Sequence, residues 1–291
     1  NKLIFGGEYR GDKASIYSGD NTVKNTDQYS LYLYDEYRVD NKLLLTPAIR
    51  YDYHKSFGSH TSPNLGATYF ISDKSRFKAN YGTSYRAPSV DELYGAFTHG
   101  GIWGGMAIVG NPDLKPEKSK GWEISYEQEF GDTTSAKLTY FDNKKEDAIS
   151  YKIEMAPPSQ MGKFYNIDST SSKGVEFEIK HDFGKGFTLV GNYNWLDSVD
   201  DTTGERLNYN ARNTYMAKLM WTEPIKKEWN ITAWNKWYTD FQYDSDTVYS
   251  VNKRWGDKYR VFAGIDNVFN KDLSDMGYYG RLWRVGAEMK F

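Results

Sequence analysis

Apolar and polar residues alternate with a period of two along most of this chain. From Leu43 one face reads Leu43, Leu45, Pro47, Ile49, Tyr51, Tyr53, and the other Leu44, Thr46, Ala48, Arg50, Asp52. From Trp122 the faces are Trp122, Ile124, Tyr126, Gln128, Phe130 against Glu123, Ser125, Glu127, Glu129. The same split recurs at Val175–Phe177–Ile179 against Glu176–Glu178–Lys180, and at Trp283–Val285–Ala287–Met289 against Arg284–Gly286–Glu288–Lys290. Successive side chains of a strand point to opposite faces, so each segment has one apolar wall and one charged wall. Short polar turns are expected at 39–41, 72–74, 131–133, 184–186 and 256–258. Longer links are expected at 11–25, 54–61, 86–118, 154–162, 198–210, 239–246 and 270–280. Short turns at one end and long loops at the other are the pattern of an outer-membrane barrel. The pattern gives about fourteen strands of roughly 9–13 residues, and a tilted barrel strand needs about 9–11 to cross a bilayer.

A soluble β-sandwich or propeller is the competing architecture. Sandwich strands are shorter, about 5–6 residues, and no propeller repeat is present. Composition favours the barrel. The chain of 291 residues carries 25 Tyr, 15 Phe and 9 Trp, yet its mean hydropathy is -0.75. Disordered chains are poor in aromatics, whereas strands with one greasy and one wet face want them. Aromatics near strand ends, at Tyr51, Tyr53, Tyr81, Tyr85, Trp195, Trp237, Tyr238 and Trp283, suit interfacial girdles. No apolar run reaches the length of about 18 residues that a membrane helix needs. With no Cys there is no disulfide or thiol chemistry, and a net charge of -2 gives no field that points to nucleic acid.

Residues 86–117 break the alternation and are too long for a hairpin turn. They offer Tyr94, Phe97, His99, Trp103 and Met106 among six glycines from Gly95 to Gly110. Glycine permits close backbone approach to a ligand, and aromatics give contact area at small entropic cost. A loop packed on its neighbours is the plainer reading of any one of these side chains. Arg86, which can pair with a lumen carboxylate, and Pro88 read as structural. So do Asn111-Pro112-Asp113 and Lys115-Pro116-Glu117, as a rigid re-entry into the next strand. Glu123, Glu127, Glu176 and Glu178 could suggest acid–base work, but their period of two is that of a wet wall. Asp197, Asp200, Asp201 and Glu205 crowd one loop that could hold Ca²⁺, without the spacing of a calcium loop. Nothing convincing as a catalytic site emerges, so the expectation is not an enzyme.

Several stretches resemble the boxes of TonB-dependent outer-membrane receptors. They are Tyr85-Arg86-Ala87-Pro88-Ser89, Glu92-Leu93-Tyr94 and Gly110-Asn111-Pro112-Asp113-Leu114-Lys115-Pro116-Glu117-Lys118-Ser119. Also similar are Asn166-Ile167-Asp168 followed by Lys173-Gly174-Val175-Glu176, Tyr193-Asn194-Trp195-Leu196-Asp197, and Asp266-Asn267-Val268-Phe269-Asn270-Lys271-Asp272. The resemblance covers essentially the whole chain. It implies an all-β fold, a transmembrane antiparallel up-and-down barrel. Residues 1–291 would supply about fourteen C-terminal strands of a plugged barrel of about 22, with the plug domain absent. Arg284, Gly286, Met289 and Phe291 resemble the family's assembly signal and imply recognition by the barrel-assembly machinery.

The function so implied is a receptor in the outer membrane of a Gram-negative bacterium. It would bind a small nutrient at extracellular loops and import it on energy from TonB with ExbB and ExbD, reached through the N-terminal part. A ferric siderophore leads among the expected ligands, with haem and cobalamin behind it. No resident cofactor is expected, and outer-membrane lipid surrounds the barrel. Some haem receptors of the family carry an iron-ligating His in the interval of His99, so His99 is the metal candidate only if the ligand is haem. A stand-alone fourteen-stranded pore or fatty-acid channel is the alternative of another class.

Overall fold

The computed structural model describes residues 1–15, 23–99, 106–156, 159–207, 210–239, 246–255, 258–268, 270 and 280–290. The strands are β1 (Lys2–Ser15), β2 (Val23–Arg38), β3 (Leu43–His54), β4 (Gly58–Ser72) and β5 (Ser75–Arg86). A short helix α1 (Val90–Tyr94) and two four-residue strands, β6 (Ala96–His99) and β7 (Met106–Val109), interrupt them. Then follow β8 (Glu117–Phe130), β9 (Thr134–Ala156), β10 (Ser159–Gly184), β11 (Phe187–Asp200) and β12 (Asn213–Thr222). β13 (Trp229–Thr239), β14 (Asp246–Trp255), β15 (Tyr259–Asp266) and β16 (Leu282–Met289) complete the chain.

Fourteen strands form one meander, β1-β2-β3-β4-β5-β8-β9 and onward in order to β16, every neighbour antiparallel. Register keeps like with like across the sheet. Glu127 faces Arg76 on one side and Lys137 on the other, while Tyr126 faces Phe77 and Leu138 on the opposite surface. The polar surface is laced by ion pairs. Glu127 holds Arg76 and also Lys78, the latter at 2.6 Å, and Lys137 lies 3.7 Å from Glu178. The other surface presents Leu31, Leu33, Ile49, Leu65, Ile124, Leu138 and Phe177 to the outside, all exposed. Aromatic pairs flank this band, Tyr9–Tyr29 and Trp122–Tyr140 at one end and Phe77–Tyr126 and Phe187–Trp221 towards the other. An apolar outside with a polar inside inverts a soluble domain and is the arrangement of a membrane barrel wall. No helix among the described residues is long and apolar enough to cross a membrane.

The turns at one end are tight for local reasons. Asp40 Oδ1 accepts from the N–H groups of Lys42 and Leu43, both at 2.7 Å, which folds the chain from β2 into β3. At Gly186, φ is +84° and an added Cβ would lie 1.8 Å from Thr222 O, so no other residue fits between β11 and the end of β12.

The structure departs from the sequence reading in several places. The link expected at 54–61 is a three-residue turn, because His54 is buried and its Nδ1 accepts from Ser56 N–H at 3.1 Å. The link expected at 154–162 is mostly strand. β9 and β10 run to Ala156 and from Ser159, giving strands of 23 and 26 residues. The link at 11–25 likewise shrinks, β1 ending at Ser15 and β2 starting at Val23. A turn between β12 and β13, at 223–228, went unforeseen. Two of the expected girdle rings lie elsewhere. Tyr238 takes the parity of the polar surface, under the Lys236 ammonium at 5.0 Å, and Tyr85 stacks on His60 at 4.9 Å.

Candidate functional site

Between β5 and β8, at the end of the sheet that carries the long connections, the chain folds over the polar surface. Ser89 starts α1 with a capping box. Its hydroxyl accepts from Glu92 N–H at 3.1 Å, and its own N–H donates to Glu92 Oε2 at 2.7 Å. Glu92 also receives a forked pair from Arg86 Nη1 and Nη2, at 2.9 and 3.2 Å. Arg86 Nε donates to Glu117, whose other oxygen accepts Ile149 N–H at 2.7 Å. One guanidinium therefore ties the last residue of β5, the helix, the first residue of β8 and, through Glu117, strand β9. Burial works to raise the Glu92 carboxyl, but the Arg86 guanidinium and the Ser89 N–H outweigh it and leave it below the usual carboxylate range.

The segment also has the only apolar core among the described residues. Val90, Leu93, Leu114 and Ala148 are the buried apolar side chains, Leu93 at 1% exposure. α1 leans against β1 and β2. Its return path is locked by backbone bonds, Gly110 N–H to Gly95 O at 2.7 Å and Asn111 N–H to Glu92 O at 2.8 Å. An added Cβ at Gly110 would stand 2.6–2.8 Å from the backbone of 93–95, so this crossing requires glycine.

Two asparagines fasten the segment to β10. Asn111 Nδ2 donates to Phe164 O at 3.0 Å, while its Oδ1 accepts Asp113 N–H at 3.0 Å. Asn166 Oδ1 accepts Lys115 N–H at 2.9 Å, and its Nδ2 reaches Lys115 O and Asp147 O. Beside them β7 adds to β10 in parallel, Met106 to Val109 against Gln160 to Lys163, and β6 pairs with β7. The extension of β9 and β10 past the rest of the wall is thus the platform on which the segment is built.

Tyr94, at the end of α1, is half-buried. Phe97 and His99 lie on β6, in register with Ile108 and Met106, and Met106 is in register with Gln160 of β10. Three of the sequence candidates therefore share one small mixed sheet, while Trp103 lies outside the described residues. Arg284 and Gly286 lie on the polar surface of β16, Arg284 bound to Asp266 at 2.6 Å, with Met289 on the outer one. Phe291 lies outside the described residues. Sequence reasoning placed Arg86 on a carboxylate but missed α1, although Ser89-x-x-Glu92 is a capping-box spacing. It also missed the clamp by Asn166, although Asn166-Ile167-Asp168 is one of the stretches that carry the resemblance. The acidic loop resolves into structural contacts. Asp200 Oδ1 accepts the Thr202 N–H, Asp201 accepts the Ser169 and Ser171 hydroxyls, and Asp197 pairs with Arg212. No group of three His, Cys, Asp or Glu that could hold a metal occurs among the described residues.

A meander with a polar lumen surface, an apolar outer band and an elaborate cap at one end defines a transmembrane barrel wall of the receptor type. The family model described as TonB dependent receptor-like, beta-barrel matches residues 1–268, and the chain belongs to that family. It is accordingly a protein of the Gram-negative outer membrane. The iron-regulated outer membrane virulence protein of Vibrio cholerae O1 El Tor is 26% identical over 96% of this chain and 47% of its own length. The heme/hemopexin utilization protein C of Haemophilus influenzae is 27% identical over 71% of this chain and 34% of its own. Among solved structures, the siderophore receptor PirA of Pseudomonas aeruginosa superposes with a TM-score of 0.81 at 21% identity, covering 99% of this chain and 53% of that one. The copper transporter OprC superposes at 0.76 with 13% identity, covering 99% and 54%. This chain spans about half the length of the first of these relatives and of both solved structures.

Proposed function

We propose that the whole receptor captures a ferric siderophore at its outer mouth and imports it on energy received from TonB and its ExbB and ExbD partners. The observation that carries this reading is the clamped segment of residues 86–99 and 106–117, which is fastened at the end of the long connections through Arg86, Asn111 and Asn166. A wall strand that merely crosses lipid needs no such cap. Binding energy is used best when the binding surface is ordered in advance, and the clamp supplies that order. The iron-regulated relative in Vibrio supports iron as the cargo. The solved structures span siderophore and copper proteins, so the shared fold does not by itself choose the ligand. In this reading the plug and the TonB-contacting segment belong to the part of the receptor outside residues 1–291, and barrel assembly reads the C-terminal strand.

Haem is the second reading, favoured by the haem-utilization relative and by His99 on β6. Titration of the intact receptor with a ferric tris-catecholate and with hemin, for wild type and His99→Ala, separates the two. The siderophore reading expects saturable catecholate binding that His99→Ala leaves unchanged. Hemin binding with a Soret shift abolished by His99→Ala, and no catecholate binding, would overturn it.

A further inference from the structure

On the polar surface, near the end that carries the long connections, β2 to β5 line a recess of about 490 Å³. That is the size of a small-molecule site. Among the described residues, Arg50 and Asp52 are the only charged side chains that line it, and they hold each other at 3.0 Å. Asp52 is 3% exposed. Its Oδ1 also accepts from Ser30 Oγ at 2.6 Å and from Gln28 Nε2 at 3.0 Å. Its Oδ2 meets only Arg50 Nε, at 3.2 Å, among the described residues. Arg50 Nη2 donates to Glu8 at 3.0 Å. Two more lining groups, Ser62 Oγ and Tyr85 Oη, are hydroxyls shut away from solvent with no hydrogen-bond partner among the described residues.

These groups sort the possible occupants. An anion would meet Asp52 and a cation would meet Arg50, and the two side chains already neutralise each other. An apolar occupant would leave both orphaned hydroxyls without partners, which is costly. A hydroxyl both donates and accepts. It can give its proton to Asp52 Oδ2 and take one from Ser62 or Tyr85. The rings of Tyr32, Tyr34 and Tyr85 line the same recess, each an apolar body with a polar tip. A pyranose has the matching build, with C–H groups on its faces and hydroxyls around its edge. We propose that this recess binds a neutral saccharide of about one or two rings, the size such a volume takes. Asp52, Ser62 and Tyr85 meet its hydroxyls, and the tyrosine rings cover a sugar face. The site uses neither α1 nor His99 and does not depend on the iron cargo.

The test uses the full receptor in an amine-oxide detergent, because a maltoside detergent would carry a competing headgroup. The probes are methyl glucoside, methyl galactoside and methyl mannoside. Cyclohexanol is the control, a ring of similar size that keeps a single hydroxyl. Saturation-transfer NMR reads binding. At least one glycoside is expected to bind saturably, and cyclohexanol is expected not to bind. Ser62→Ala with Tyr85→Phe should weaken that glycoside about tenfold or more, as where a site built for hydroxyls loses its partners. Neither substitution removes a hydrogen bond present in the structure, so the paired variant should fold, and heat-modifiable migration on gels reports it. Binding of none of the three glycosides, equal binding of cyclohexanol, or glycoside binding that survives the paired substitution would overturn the proposal. So would a lower thermal midpoint of the paired variant without ligand, since the two hydroxyls would then already have partners elsewhere in the receptor.

Discussion

The wall and the cap are held together by opposite physics. The wall is one residue thick. Its apolar side chains, Leu138 and Phe177 among them, are exposed to what lies outside, and its polar side chains meet across the lumen surface in pairs such as Lys78 with Glu127. Its cohesion comes from the ladder and from the solvent being hydrocarbon. The cap between β5 and β8 is a small piece of soluble protein, with Leu93 and Leu114 buried, a helix cap and side-chain clamps. A substitution should therefore do opposite things in the two regions. Loss of apolar volume hurts the cap, and gain of charge hurts the outer wall.

The largest effect is expected at Leu93. Leu93→Ala removes the most deeply buried side chain of the cap and should cost it about 2–5 kcal/mol. Hydrogen exchange should show α1 and β6 opening, while heat-modifiable migration of the barrel stays unchanged. Next comes Leu138→Arg, which places a charge in the lipid-facing band and should cost the wall about 2–4 kcal/mol. Urea unfolding in lipid vesicles reads that loss, and the exchange pattern of the cap should not change. If Leu93→Ala lowered the stability of the wall as much as that of the cap, the two regions would not be separable.

A smaller effect is expected at Asn166. Asn166→Ala removes two hydrogen bonds between β10 and the cap and one to Asp147 O of β9, and leaves backbone groups at Lys115 without those partners. The expected cost is about 1–3 kcal/mol, confined to the cap. Exchange at Lys115 and around α1 should rise, with no change at β12 to β15.

The same division explains what the sequence revealed. Period-two alternation is a local signal, so the wall, its number of strands and most of its tight turns were legible from residues such as Trp122 to Phe130. The cap depends on long-range partners. Asn166 is 51 residues from Lys115, and Arg86 is 31 from Glu117, so no window along the chain contains either contact. The extended β9 and β10 misled for the same reason. Glu154 to Gly162 looks like a loop locally and becomes strand because β7, from far upstream, pairs beside it. The boxes at 85–94 and 110–119, together with Asn166, supply these clamps. They identify the architecture, and they leave the choice of ligand to the side chains between them.

The smallest expected effect is on pH and concerns Glu92. Its carboxyl sits below the usual range, because the Arg86 guanidinium and the Ser89 N–H outweigh the burial that opposes ionisation. A depressed carboxylate stabilises the docked helix fully above its unfolded value of about 4.3. That contribution fades as pH falls through the lower folded value. The amides of β4 should not follow, since that strand carries no Asp or Glu. Protection factors of the Leu93 and Gly95 amides should therefore fall between neutral pH and about pH 3 while those of β4 hold, in keeping with that reference value. Glu92→Gln should show weaker protection at neutral pH and a flatter profile. It should not be fully flat, because Glu117 shares the same guanidinium and titrates with it. A wild-type profile that matched the Gln variant at every pH would mean that Arg86 holds the cap through Glu117 alone.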